Sequence, residues 1–190
     1  MANAAEKPQT GMLHIPPTDT LFKPNLKVYM RPIIKTISEK KLAGMRLSMN
    51  LVNNRTPELW RSFMPRRHEL DNKMPDVFYS MQVFDTSYSF IRFDPEAMFE
   101  KWAAVEVSNF DQMPEGMESF ILPGGLYAVF HHKGPASDGP KVFGYIFGSW
   151  LPASPYELDS RPHFETLGET YRADSPDAEE DIWIPIRIKE

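Results

Sequence analysis

The residue with the most chemistry open to it is Glu165, in the run Pro162-His163-Phe164-Glu165. Residues 162–167 read as a strand, so His163 and Glu165 share one face and Phe164 takes the other. A carboxylate set among rings is costly to bury unless it is paired, and burial without a partner raises its pKa. A cationic or polarisable ligand could be that partner. Tyr127, Tyr145, Trp102, Trp150 and Trp183 offer ring faces worth about 0.5–2 kcal/mol per cation–π contact. An internal salt bridge or a solvated strand position also accounts for Glu165, and the residues alone leave both readings open. With fewer than three convincing ligands to name, His163 and Glu165 read as a rim histidine beside a carboxylate and not as a metal pair.

Other chemistry is harder to find. His131 and His132 are neighbours in a strand, so they point to opposite faces and cannot easily ligate one metal. Gly148-Ser149-Trp150 is no nucleophile elbow, because no glycine follows in place and the serine falls inside a helical stripe. Neither a P-loop nor a G-x-G-x-x-G run occurs, and Gly124-Gly125 reads as a turn before a strand. The chain has no cysteine, which removes disulfides, thiolate zinc sites and a cysteine nucleophile. No cofactor and no metal are expected.

A formal net charge of −5 argues against a nucleic-acid surface, which needs clustered Lys and Arg. Arg61, Arg66, Arg67 and His68 form a local basic cluster, but it is short and lacks interleaved aromatics, so it reads as a solvated helix end. No run of eighteen apolar residues and no secretory pattern is present, so a cytoplasmic protein with no membrane span is expected.

Around these residues the elements fall into two halves. Residues 1–29 carry Pro8, Pro16, Pro17 and Pro24 without a sustained period and read as a flexible extension, with 30–190 as the folded domain. Met45, Leu47, Met49 and Leu51 alternate with polar residues as a half-buried strand. Thr56 and Pro57 then open a helix with the stripe Leu59, Trp60, Phe63 and Met64, which ends or kinks at Pro65. Val77–Phe84 and Trp102–Val107 are strands, and 109–118 joins the halves. The second half (about 119–190, against 30–108) repeats the order. Leu126–His132 is its first strand. Its helix, capped by Ser137 or Asp138, carries the stripe Val142, Phe143, Ile146, Phe147, Trp150 and Leu151. Two strands follow, at 162–167 and through Ile182, Ile184, Ile186 and Ile188. Pro185 places the last strand at an edge, or turns its non-bonding side to one. The matching stripes predict an α+β fold: a duplicated β-α-β-β unit in which two antiparallel sheets meet, two helices cover one side, and a cleft lies between the halves.

The series Leu122-Pro123-Gly124-Gly125-Leu126-Tyr127-Ala128-Val129-Phe130-His131-His132-Lys133-Gly134-Pro135, with Trp150-Leu151-Pro152-Ala153-Ser154, Pro162-His163-Phe164-Glu165 and Ile182-Trp183-Ile184-Pro185-Ile186, resembles the GyrI-like small-molecule-binding domain. The resemblance covers about residues 30–189 and is most specific in the second half. It implies the duplicated fold with a central cleft, and a place as the effector-binding half of AraC-type or MerR-type multidrug-responsive regulators or as a free-standing protein. It also implies that Glu165 is the cleft glutamate that pairs with lipophilic cations. The spacing from Glu165 to Tyr171 is longer than the family's glutamate-to-tyrosine spacing. The expected function is thus a free-standing binding or sensing domain for a small amphipathic, perhaps cationic, molecule, with Glu165 as charge partner, Tyr127, Tyr145, Trp102 and Trp183 as walls, and no direct nucleic-acid contact. Some relatives look like hydrolases of reactive genotoxins, so the alternative is a hydrolase in which Glu165 activates water. A third reading is a protein-interaction module whose surface matters more than its cleft.

Overall fold

Alternation in the sequence becomes alternation in burial. In strand β2 (Lys40–Met49), Met45, Leu47 and Met49 are covered while Arg46 and Ser48 face solvent; Leu51 lies beyond the strand and is exposed. The computed structural model describes residues 30–85, 88 and 94–190. The expected extension over 1–29 lies outside the described residues.

Helix α1 (Thr56–Phe63) buries Leu59 and Phe63, a contribution of roughly 1.5–3 kcal/mol each. It gives way to a 3-10 turn (Met64–Glu69) where Pro65 stands. Thr56 is the first helical residue and not the cap: its N–H donates to the Asn54 Oδ1 at 3.0 Å. Of the basic cluster, Arg61 lies in the last turn of α1 and Arg66, Arg67 and His68 sit on this 3-10 turn, with Arg66 paired to Glu69 at 2.6 Å on the surface. In the second half α2 (Gly139–Tyr145) continues through a π turn (Ile146–Trp150) into a closing turn (Leu151–Ala153). Asp138 holds the cap position, but its side chain makes no capping bond.

The remaining strands are β1 (Ile33–Ile37), β3 (Lys73–Phe84), β4 (Phe99–Val107), β5 (Glu118–Leu122), β6 (Gly125–Lys133), β7 (Tyr156–Leu158), β8 (His163–Gly168) and β9 (Glu179–Ile188). Each half therefore gains a leading strand, β1 and β5, that the sequence reading did not separate from its surroundings. The order across the sheet is β1-β6-β9-β8-β3-β4-β2-β5, with β7 added to β9. Every pairing is antiparallel. The duplication is visible in this order. The corresponding strands β3 and β8 pair at the centre, and each leading strand joins the other half: β1 pairs with β6, and β5 with β2. The two expected sheets are thereby fused into one.

Chain connectivity then curls the sheet. β1 ends one side of the order and β2 lies next to the other, yet only Ser38 and Glu39 separate them. A link of that length spans no more than about 11 Å, so the two ends of the sheet must meet. They close against the β5–β6 link, where a Cβ on Gly124 would stand 2.7 Å from the Ile37 oxygen and 2.8 Å from the Glu39 nitrogen. The inner face is sealed around Leu42, Tyr79, Met81, Trp102, Tyr127 and Phe164, all buried. The outer face carries two separate cores, one under α1 around Phe63, Phe78 and Val105, and one under α2 around Phe130, Ile146 and Ile184.

Of the two places expected for Pro185, an edge strand or a non-bonding side turned to an edge, the central position of β9 excludes the first and agrees with the second. β9 lies between β6 and β8, but its pairing with β8 ends at Phe164–Trp183 and its pairing with β7 starts at Leu158–Ile186. The Pro185 carbonyl accepts the Asp159 N–H at 3.0 Å on that side, so the missing donor faces the gap between two partners.

Arg161 fastens the closed end. Its guanidinium donates to the carbonyl oxygens of Leu126 (2.7 Å), Ile186 (3.2 Å) and Gly124 (3.3 Å), pairs with Asp159 at 3.2 Å and lies 4.5 Å from the Tyr127 ring centroid. Gly125, at φ +145°, leaves the space the guanidinium fills. Arg161→Met strips three carbonyls of their guanidinium donor, and urea unfolding is expected to show a loss of about 2–4 kcal/mol. Arg161→Lys should recover only part, because one ammonium cannot span the fork. An unchanged midpoint in Arg161→Met would show that the clamp is dispensable.

Candidate functional site

Glu165 lies in β8, next to the central seam. Its cross-strand neighbours are Ser80 on β3 and Ile182 on β9. Ile182 belongs to the core under α2, and Ala103, opposite Ser80, to the core under α1. Glu165 therefore sits on the outer, helix-bearing face where the two halves meet. Its carboxylate accepts from Lys101 Nζ at 3.2 Å and from Gln82 Nε2 at 3.4 Å. Lys101 comes from β4, and its register with Gln82 places it on the same face. The two side chains are 5% and 13% exposed, so this is a buried ion pair. The internal salt bridge left open by the sequence is what the structure shows, and its partner is Lys101.

A second carboxylate borders the pair. Glu180 on β9 is the register neighbour of Leu167, on the Glu165 face. Burial, and next the charge of Glu165, push its pKa above the usual carboxylate range, while the Tyr171 hydroxyl and His132 favour its charged form. His132 Nδ1 stands 3.3 Å from Glu180, and its Nε2 stands 3.8 Å from Asp138. Tyr171 reaches the network across its longer spacing: burial, then the Glu180 charge, raise its pKa. His131 points the other way and meets Asp181 at 3.0 Å, as strand alternation requires. A hollow of about 410 Å³ at this end of β8 and β9 is lined by Leu167, Tyr171 and Glu180 among others. Glu165 does not line it, so the polar network separates the hollow from the ion pair.

Rings close the other end. Phe84 stacks on Tyr88 with centroids 4.5 Å apart, meets Phe99 at 5.0 Å and meets His163 at 6.4 Å; Phe147, from the π turn, lies 5.8 Å from His163. His163 is therefore no rim residue. It is buried beneath these rings, and the loss of solvation holds its pKa down at about 3.

The four expected walls are placed elsewhere. Adjacent strand residues face opposite ways, so Phe164 turns inward, and with it Trp183 (stacked, 5.2 Å), Tyr127 (5.3 Å) and the Trp102 of the same inner cluster. Trp183 also donates to the Thr166 Oγ1 at 3.0 Å. The backbone layer stands between these three rings and Glu165. Tyr145 lines a separate groove of about 540 Å³ beside Arg31, Trp150 and Tyr156, and Trp150 packs in the core under α2. The structure instead places Lys101, Gln82, Tyr171 and Glu180 about Glu165, and gathers Phe84, Tyr88 and Phe147 at His163, two residues away on the same face. Parity from Glu165 to His163 was readable in the sequence. The register that adds Gln82 and Lys101 was not. Among the described residues no group of three or more His, Asp or Glu is arranged to hold a metal ion, and no helix is long and apolar enough to cross a membrane.

The chain belongs to the GyrI-like small molecule binding domain family, whose profile matches residues 30–187. It is 31% identical over 147 residues to the transcriptional regulator BrlR of Pseudomonas aeruginosa, a match covering 76% of this chain and 51% of BrlR. The chain thus spans about half the length of that relative. Among solved structures, the EcmrR C-terminal domain superposes with a TM-score of 0.63 at 15% identity, covering 85% of this chain and all of that domain (100%). SAV2435, solved bound to tetraphenylphosphonium, gives a TM-score of 0.57 at 16% identity, over 83% of this chain and 94% of its own. At such identities the likeness establishes the α+β duplicated fold.

The buried His163 makes stability pH-dependent. The folded state takes up this proton only at about 3, whereas the ordinary value is 6.5. Between those values the unfolded chain binds more protons, so stability rises with pH and is lost on acidification. His163→Phe should therefore lose about 2 kcal/mol less than the wild type between pH 7 and about pH 5, measured by urea unfolding at each pH. Parallel losses in the two proteins would rule out His163 as the group responsible.

Proposed function

We propose that this domain binds a small amphipathic molecule between its halves, on the helix-bearing face, with the Glu165–Lys101 pair as the polar seat and Phe84, Tyr88 and Phe147 as apolar walls. The observation that carries this reading is a charged pair buried at the seam between two cores, with rings on one side and a hydrogen-bonded network on the other. Buried charge of this kind is expensive to keep for stability alone, since apolar replacements are often as stable. Function as a small-molecule receptor is also supported by family membership and by the ligand in the SAV2435 structure. Tyr127, Trp102 and Trp183 act in this reading as packing beneath the seat.

The pair is covered, so a ligand must displace part of its cover. The α2 segment is built to yield. It holds Gly139, Gly144 and Gly148 and changes to a π turn at Ile146–Trp150, the turn that carries Phe147. Each helical glycine costs roughly 0.5–1 kcal/mol against alanine, and π turns recur at functional sites. A Cβ at Gly144 or Gly148 would meet nothing within 4 Å.

Calorimetric titration with tetraphenylphosphonium and with neutral triphenylphosphine oxide tests the reading. Saturable binding of at least one probe is expected, weakened about tenfold or more in Phe147→Ala and in Glu165→Gln. If no probe binds while circular dichroism shows the fold intact, the cleft is not a receptor for this class of ligand. Binding that ignores both substitutions would place the ligand elsewhere. Mass spectrometry of the recovered probe separates the receptor from a hydrolase, since the receptor returns it unchanged. Gly144→Ala with Gly148→Ala should raise stability by about 1–2 kcal/mol and weaken ligand binding together; stabilisation with undiminished affinity would show that α2 need not move.

A further inference from the structure

We propose that Lys101 is the specificity-determining residue of the seat: by neutralising Glu165 from within the chain it turns the site away from lipophilic cations and toward uncharged ligands that accept a hydrogen bond. The inference rests on the reading of the seam as a ligand site and adds the charge that site selects.

A glutamate in an apolar cleft attracts a cation because nothing else compensates its charge. Here the ammonium of Lys101 stands 3.2 Å from the carboxylate, and both side chains are almost wholly withdrawn from water. A cationic ligand would have to displace Lys101, leaving a second buried cation in the low-dielectric seam, or lie beside it and meet its repulsion. The lysine has no easy retreat. It projects from the centre of β4, which is paired on both edges by β2 and β3, and the residue is only 4% exposed. Nor, among the described residues, does Glu180 stand as an ordinary surplus carboxylate beside the pair. Glu180, the other acid facing Glu165, is biased toward its neutral form by burial and by Glu165, and it is engaged by His132 and Tyr171. An ammonium has three N–H donors, and the Lys101 bond found in the structure uses one, to Glu165. A ligand carbonyl, phosphoryl or sulfonyl oxygen can take another without disturbing the pair. The apolar remainder of such a ligand would lie against Phe84 and Phe147.

Tetraphenylphosphonium and triphenylphosphine oxide differ in charge while sharing the aryl-phosphorus body, and calorimetry on the full chain compares them directly. The wild type is expected to bind the oxide at least about tenfold more tightly than the phosphonium. Lys101→Met, which frees the carboxylate, should reverse that order, and Glu165→Gln added to Lys101→Met should remove the gain in phosphonium affinity. Tetraphenylphosphonium bound by the wild type as tightly as the oxide, or more tightly, overturns the proposal without any variant, so an unstable Lys101→Met cannot shelter it. A folded Lys101→Met with unchanged phosphonium affinity overturns it as well. Binding of neither probe by wild type or variants, with the fold intact, defeats the receptor reading itself and this inference with it, whereas binding of both probes with the wrong preference defeats only the inference.

Discussion

The constraint on which the structure depends is the two-residue link between β1 and β2. It joins strands at opposite ends of the sheet order, so the sheet must curl until its ends meet. Curling gives the two faces different fates. The inner face closes on itself and fills with rings, and the Arg161 guanidinium bridges the carbonyls at the closed end. The outer face remains divided between two helices and two cores, and a boundary between cores is where charged groups can be held at the least cost to packing.

The duplication explains where that boundary falls. Corresponding strands β3 and β8 pair along the approximate symmetry axis, so residues near the axis face their counterparts and neither half can cover them alone. Ser80 and Ala103 keep the floor low, and Glu165 with Lys101 occupies it. The halves are not equivalent there. α1 ends in a 3-10 turn at Pro65, whereas α2 runs on through a glycine-bearing π turn that carries Phe147 over His163.

The electrostatics of the seam form a chain of graded compensation. Glu165 is neutralised by a lysine from the other half of the duplication. Burial and the Glu165 charge raise the pKa of Glu180, which lies beside His132 and Tyr171, and His163 stays neutral beneath rings. Each group is tolerated because its neighbour or its protonation state cancels its charge.

The strand and helix periodicities, the duplication and the residues that share a face within one strand were legible before any fold was known. That was enough to pair His163 with Glu165, to set His131 against His132 and to carry the family resemblance. These are local properties, fixed by the periods of 2 and 3.6. The sequence did not separate β1 and β5, because each is five residues long and takes its partner from the other half of the chain. Nor could it say that Tyr127, Trp102 and Trp183 turn inward while Lys101 meets Glu165. Those outcomes depend on cross-strand register between residues 64 positions apart and on the curl imposed by chain closure, and a register shift of one residue would exchange the two faces. Glu165 was legible as a residue that needs a partner; that the partner is Lys101, within the chain, follows from the register of β4 and β8 about β3.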